Sequence, residues 1–488
     1  MTAPLEIELK LEFARDDGDR LAALDLLAGA EGEPARIVSG YFDTPDFDLR
    51  RAGYSLRVRR SGRRRIQTIK ATPGTAGGLF VRPEWECRIE GDTPMLDPKA
   101  GPLAEVLAPK ALAAIERLFE TDVRRALCEV EWGDARIEVA IDRGHVRAGK
   151  AKAPLCELEL ELKSGPSRAL FEIARDIDAV VPLRLGVRSK SERGYGLLRD
   201  EGGAVARADP LELDAEGGAA DAFAEIGRSC LRQFRINEAL LMAGGSAASV
   251  HQARVSLRRL RSAISLFRPL LKGDGHRAHL QAELRWLAGT LGELRNLDVL
   301  IGHASSEVAA SLAAARSREL ERVRAVLEDR RTRLLMIDLA EWLALGTWWG
   351  RPLHHPRLRR AVPSFAADIL DDHRDRLLHL GRGLAGLPDE RRHKVRIEAK
   401  KLRYAAEFFA SLFPGDKARR RGKAFRKALE DVQDGLGELN DQVTGARILT
   451  RLGVAAASPL PDAEARAAAL TRAEQAFKRL AAARPFWR

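Results

Sequence analysis

The feature that most constrains this chain is the strict alternation of Leu5-Glu6-Ile7-Glu8-Leu9-Lys10-Leu11-Glu12-Phe13. A strand turns successive side chains to opposite faces. Leu5, Ile7, Leu9 and Leu11 therefore share one face, and Glu6, Glu8 and Lys10 the other. Taken alone, the stretch reads first as an edge strand with a solvated polar face. The same acidic phase returns at Glu157-Leu158-Glu159-Leu160-Glu161, and arginines keep it at Leu56-Arg57-Val58-Arg59. Strands that turn carboxylates and guanidiniums toward a common space describe a pore lined with charge, suited to a metal ion and a phosphate chain.

The rest of the first two hundred residues fits a set of antiparallel strands with one charged and one apolar face, the pattern of a closed barrel with a polar lumen. Strands are expected at 37–45, at 66–70 with Thr68 and Lys70 in phase, and at 82–88 with Glu84, Glu86 and Arg88 in phase. Further strands are expected at 121–132, 135–142 and 155–163. Helical spacing predicts helices over 19–30, 103–119 and 167–181, the second packing outside the sheet. The glycine-rich loop 73–78 is no Walker loop, because no Gly-Lys-Ser/Thr closes it.

Glu6-x-Glu8-x-Lys10 near the N-terminus resembles the signature of the CYTH superfamily, the triphosphate tunnel metalloenzymes. Tyr41-Phe42-Asp43-Thr44, Leu56-Arg57-Val58-Arg59, Thr68-x-Lys70, Arg82-Pro83-Glu84-x-Glu86, Glu157-Leu158-Glu159-Leu160 and Ser189-Lys190 resemble its later segments in order. The resemblance implies an α+β domain built on a closed antiparallel β-barrel. It also implies a Mg²⁺ or Mn²⁺ cofactor held by Glu6, Glu8, Glu157 and Glu159. Those four, with Lys10, form the expected catalytic set. Substrate phosphates are expected on Lys10, Arg57, Arg59, Lys70, Arg88, Arg124 and Lys190, since Arg offers a planar fork and Lys a compact charge. Any one of these residues, taken singly, is also readable as part of a structural ion pair.

Charge divides the 488 residues unevenly. Residues 1–210 carry 34 Lys and Arg against 36 Asp and Glu, whereas 211–488 carry 48 against 34. The basic half implies a polyanionic partner. Expected domains are 1–200, a linker at 201–220 rich in Gly, Ala and acids, and an all-α region at 221–488. The helical region is duplicated, about 221–350 and 360–488, as a pair of pseudo-symmetric four-helix-type bundles. His251-x-x-Arg254-Val255-x-x-Arg258-Arg259-Leu260-Arg261 returns as His393-x-x-Arg396-Ile397-x-x-Lys400-Lys401-Leu402-Arg403, and Leu291-Gly292-Glu293-Leu294 returns as Leu436-Gly437-Glu438-Leu439. On a helix, His251, Arg254, Arg258 and Arg261 form one basic stripe, and His393, Arg396, Lys400 and Arg403 repeat it. This half resembles a CHAD domain, which implies polyphosphate binding along those stripes. No carboxylate is spaced to share a metal with either histidine. The tryptophan-rich stretch 339–349 is expected to pack between the bundles.

Four scattered cysteines without CxxC spacing exclude a zinc knuckle and fit a reducing compartment. With no leader at the start and no apolar run long enough to span a membrane, the expected location is cytoplasmic, with polyphosphate granules as an associated site. The combined expectation is a metal-dependent inorganic triphosphatase acting on tripolyphosphate, with a helical half that binds long-chain polyphosphate. The alternatives are a polyphosphate-binding or targeting protein with little catalysis, and a class IV adenylyl cyclase. No membrane partner is expected. Charge alone also admits nucleic acid.

Overall fold

A computed structural model describes residues 5–27, 34–71, 74–97, 101–200, 203–302, 304–350, 358, 360–452 and 463–488. The chain separates into two compact units. One comprises Met1–Val205 with Glu328–Leu345, the other Ala206–Leu327 with Gly346–Arg488.

The first unit is built on β1 (Leu5–Phe13), β2 (Ala35–Asp43), β3 (Tyr54–Ser61), β4 (Arg64–Ala71), β5 (Leu79–Arg88), β6 (Glu116–Trp132), β7 (Ala135–Ala148), β8 (Ala151–Ser164) and β9 (Leu183–Leu185). The sheet order is β5-β4-β3-β2-β6-β7-β8-β1-β9, and β5 also pairs with β1. Eight antiparallel strands thus close a barrel, as the alternating faces predicted. The first strand is the seam: Leu5 to Leu9 pair with β5, while Glu8 to Glu12 pair with β8.

Alternation sets what faces each way. Leu56 and Val58 of β3 point outward into a core with Phe42, Leu49, Ile69, Leu103 and Leu112, leaving Arg57 and Arg59 inside. The helices α1 (Gly18–Ala22), α2 (Asp48–Arg51) and α3 (Pro109–Ala113) are short. Two expected helices are therefore corrected. The one expected over 103–119 is reduced to α3, because residues from Glu116 onward join β6, where Phe119 pairs with Tyr41. Cross-strand pairing outweighs helical spacing there, although Leu103 and Leu112 do pack outside the sheet. The helix expected over 19–30 ends at Ala22 and gives way to a 3₁₀ turn at Asp25–Leu27; residues 28–30 lie outside those described, as does residue 73 of the glycine-rich loop.

Two longer helices follow, α4 (Arg168–Asp178) and α5 (Lys190–Leu198). At the α5 end, the inward faces of the strands are apolar: Tyr41, Phe119, Val123, Val146 and Leu155 cluster with Tyr195 of α5. The missing side chain at Gly194 admits the Phe119 ring, which would lie 2.0 Å from a Cβ. The barrel interior is thus divided into an apolar plug and a charged remainder.

In the second unit, α6 (Ala219–Ala243), α7 (Ala247–Leu266), α8 (Arg277–Ile301) and α9 (Ser306–Glu328) are followed by α10 (Arg330–Leu345), which belongs to the first unit. The order then repeats as α11 (Val362–Leu380), α12 (Asp389–Phe408), α13 (Asp416–Arg451) and α14 (Ala463–Ala482). Residues 203–218 have no helix or strand, but Leu211 and Leu213 are buried. The Phe267 ring packs at a tilt against Phe409, its counterpart in the second copy, at 5.9 Å, and against Phe365 at 5.2 Å. Trp348 packs edge-on against Phe223 at 5.1 Å in the same core, whereas Trp342 is buried on α10. No helix among the described residues is long and apolar enough to cross a membrane.

Candidate active site

The charged part of the barrel encloses a cavity of about 520 Å³. Every barrel strand contributes to its wall, each through alternate residues. Glu6, Glu8 and Lys10 come from β1, Arg57 and Arg59 from β3, and Lys70 from β4. Arg82, Glu84 and Glu86 come from β5, Arg125 from β6, Glu138 from β7, and Glu159 and Glu161 from β8. Lys190 enters as the first residue of α5. Its helix starts there because Ser189 is the N-cap of a capping box, exchanging hydrogen bonds with Glu192.

The ions form one network. Lys70 Nζ lies 2.6 Å from Glu6 Oε1, and Arg82 donates to Glu6 at 2.9 Å and to Glu8 at 3.2 Å. Lys10 donates to Glu8 at 2.5 Å and also to Glu159. Lys190 reaches Glu159 at 2.5 Å, Asp142 at 2.8 Å and Glu157 at 3.0 Å. Arg125 donates to Asp142 through Nε at 2.7 Å and Nη2 at 2.6 Å, and through Nη2 to Glu159 at 2.8 Å. Arg57 differs. It stands 3.8 Å from Glu84 and 4.0 Å from Glu86, and its buried Nε has no hydrogen-bond partner.

Burial and neighbours set the protonation tendencies. Burial pushes the Glu6 carboxyl up, but Lys70 and Arg82 hold it below its ordinary range. Glu159 is likewise pushed up by burial, yet Lys10, Lys190 and Arg125 keep it well below. Glu8 is raised, by burial first and then by the neighbouring Glu159 charge. The Lys70 ammonium is lowered by burial, Arg82 and Arg57.

Of the expected residues, Glu6, Glu8, Lys10, Arg57, Arg59, Lys70, Glu159 and Lys190 line the cavity together. Glu157 is buried one layer behind, against Lys190 and Arg193. Arg88 and Arg124 do not line it. Arg88 keeps the phase of Glu84 and Glu86 but lies exposed past the rim. Arg124 is exposed on the outer face of β6, so its neighbour Arg125 is the inward cation. Arg82, Arg125 and Asp142 were absent from the expected set. Arg82 and Asp142 were in phase with acidic neighbours; Arg125 carried no signal beyond its phase with Val123.

Among the described residues no three His, Cys, Asp or Glu side chains are gathered closely enough to cage a metal. A hard cation such as Mg²⁺ needs fewer, since it binds through one or two carboxylates and completes its shell with water and phosphate oxygens. Glu8 fits that demand. It is buried beside Glu159 and Glu6, whose charges hold it up, a crowding that a cation relieves.

The second unit carries a different cluster. His251 on α7 is surrounded by Arg254 and Arg258 of the same helix, Arg295 of α8 and Arg403 of α12, so residues of both stripes meet. Arg254 lies across Gly292, where a Cβ would be 2.7 Å from Nη1, and donates to the Ala288 carbonyl at 2.8 Å. In the second copy a Cβ at Gly437 would lie 3.9 Å from Arg396 Nη2. Each duplicated basic motif therefore packs on its own duplicated glycine motif. Arg403 donates to Glu407 at 2.5 Å and to Gln433 at 3.1 Å, and His393 is exposed.

Residues 4–195 match the CYTH domain family and residues 225–450 the CHAD domain family. An inorganic triphosphatase of Haemophilus influenzae is 31% identical over 192 residues, covering 39% of this chain and 54% of that protein. The chain thus spans about half the length of that relative. The CHAD domain of the plant Ricinus communis is 28% identical, covering 57% of this chain and 92% of that one at a TM-score of 0.46. A putative adenylyl cyclase from Hippeastrum, described as having a dominant triphosphatase activity, is 16% identical over 40% of this chain and 96% of its own, at a TM-score of 0.30. With the barrel and the duplicated helical repeat both in place, this chain carries a CYTH domain in its N-terminal part and a CHAD domain in its C-terminal part.

Proposed function

We propose that the first unit is a divalent-metal-dependent triphosphatase that releases the terminal phosphate of inorganic tripolyphosphate. The observation that carries this reading is the single cavity in which Arg57, Arg59, Lys70, Lys10 and Lys190 face Glu6, Glu8 and Glu159. Glu6, Glu8 and Glu159, with Glu157 behind them, would hold Mg²⁺ or Mn²⁺; when bound, the cation neutralises phosphate charge and activates a water. The chain's own residues do the remaining work. Arg57, with its unpartnered Nε, takes phosphate oxygens together with Arg59. Lys10, Lys70 and Lys190 neutralise charge that spreads over the transferred group. The apolar plug around Phe119 and Tyr195 blocks water from the α5 side. The 31% identity to an inorganic triphosphatase supports the same reading. Phosphate release from tripolyphosphate with Mg²⁺ or Mn²⁺ tests it. Wild type inert in both metals, or Glu6→Ala and Arg57→Ala as active as wild type, overturns it. Cyclic AMP formed from ATP in place of phosphate release would favour a cyclase.

The second unit binds long-chain polyphosphate at the cluster around His251, Arg254, Arg258 and Arg403. Its support is the half-buried Arg258, whose Nε has no hydrogen-bond partner, and the setting of Arg254, which burial first and then Arg258, Arg295 and Arg261 pull down to about 10. Retention on immobilised polyphosphate should be lost in Arg254→Glu/Lys400→Glu; full retention removes the cluster as the site.

A further inference from the structure

Arg333 lies on α10, in the stretch of sequence between the two helical repeats, yet it binds the barrel unit. Its Nε donates to Asp178 Oδ1 at 2.6 Å and its Nη2 to Oδ2 at 3.3 Å. Asp178 ends α4 and is 2% exposed. The same Oδ1 accepts the backbone N–H of Leu183 at 2.9 Å. Leu183 opens β9, whose three residues pair with Phe13, Glu12 and Leu11 of β1. The next residue, Gly186, donates its N–H to the Lys10 carbonyl at 2.8 Å, and a Cβ at Gly186 would lie 3.2 Å from Lys10 Cβ. The Lys10 N–H in turn donates to the Gly78 carbonyl at 3.1 Å. The lysine that bridges Glu8 and Glu159 in the cavity is thus gripped from behind by the β9 turn. Asp178 fixes that turn, and Arg333 fixes Asp178.

The rest of α10 seats Arg333. Arg175 of α4 donates to Asp338 at 2.8 Å and also to Glu341. Leu335, Met336, Leu339, Trp342 and Leu343 of α10 are buried. A buried carboxylate is costly unless paired and hydrogen-bonded. Asp178 has Arg333 in contact and Arg330 at 3.5 Å, so loss of Arg333 leaves it poorly compensated and frees the start of β9.

We infer that Arg333 and Asp178 are positioning residues for Lys10, so that a helix encoded within the helical half is a working part of the tunnel. The kinetic side of this inference rests on the triphosphatase reading; the structural side does not. The test uses the full-length chain with Arg333→Ala, Arg333→Lys and Asp178→Asn, read by hydrogen exchange at the Leu183 and Gly186 amides and by steady-state kinetics on tripolyphosphate. Arg333→Ala should speed exchange at both amides about tenfold or more. It should raise KM about 5- to 20-fold with a smaller change in kcat, and Arg333→Lys should recover part of both effects. Combined with Lys10→Ala, Arg333→Ala should add nothing further to KM. Unchanged exchange at Leu183 and Gly186 in Arg333→Ala overturns the inference, as do KM effects of Arg333→Ala and Lys10→Ala that add in full. Arg333→Lys carries the same exchange test if Asp178→Asn does not fold. A wild type without activity overturns the triphosphatase reading and with it the kinetic role, while the exchange data still decide whether Arg333 supports Lys10.

Discussion

The Arg57 guanidinium stands 3.8 Å from the Glu84 carboxylate, whereas Lys70 reaches the same Glu84 at 3.2 Å and Glu6 at 2.6 Å. The two cations share a wall but not a role. Lys70 is committed to carboxylates, while Arg57 keeps a buried nitrogen without a partner. Charge-assisted hydrogen bonds contribute about 1.5–3 kcal/mol each. Arg57→Ala should therefore raise KM for tripolyphosphate about 10- to 100-fold, and should lower Tm less than Lys70→Ala does. Initial rates and thermal unfolding check the two halves of this expectation.

Asp142 is fully buried between Arg125 and Lys190. Removing one partner of a buried ion cluster strands the others, typically at about 3–5 kcal/mol. Asp142→Ala should lose stability on that scale in denaturant titration. Asp142→Asn, which keeps the shape and part of the hydrogen bonding, should lose less.

The two duplicated glycines should respond differently to alanine. At Gly292 the new Cβ would meet Arg254 Nη1 at 2.7 Å, while at Gly437 it would stay 3.9 Å from Arg396. Both positions are helical, where alanine is favoured over glycine by about 1 kcal/mol. Gly437→Ala should raise Tm and leave polyphosphate affinity unchanged. Gly292→Ala should displace the Arg254 side chain and weaken binding severalfold, as measured by titration at fixed salt.

His251 is pulled down to about 4, by burial first and then by Arg295, Arg258, Arg254 and Arg403. Its folded value lies below the ordinary 6.5, so the stability of the neutral form is complete above that pH and is lost as pH falls toward 4. Wild type should lose stability relative to His251→Gln across that window. A polyanion that neutralises the arginines raises the His251 value, so binding takes up a proton. Polyphosphate affinity should rise as pH falls from 6.5 to 4, by at most about tenfold per pH unit, the limit for one coupled proton. His251→Gln should flatten that slope.

Much of the tunnel was legible because a barrel strand has period two. Once Glu6, Glu8 and Lys10 share a face, their common orientation follows whatever the rest of the fold does. Phase says nothing of where a strand leaves the cavity, and for that reason Arg88 shares the phase of Glu84 and Glu86 although it lies past the rim. Nor does it choose between adjacent arginines on a long strand such as β6. There the pairing with β2 and β7 put Arg125 inside and Arg124 outside. Phe119 has the spacing of a helix with Leu112, and only the Tyr41 strand beside it made it part of the plug.

What the sequence determined by itself is whatever repeats at a fixed interval: the alternating faces of the barrel, the basic stripes of α7 and α12, and the duplication that relates them. These follow from local geometry, which the chain carries wherever it goes. Tertiary structure alone decided which charges meet. Glu6 and Lys70 are 64 residues apart, and Asp178 and Arg333 are 155 apart. Such pairs are fixed by strand register and by where a helix docks, and both depend on burying apolar faces, such as those of α4 and α10, that no local spacing specifies.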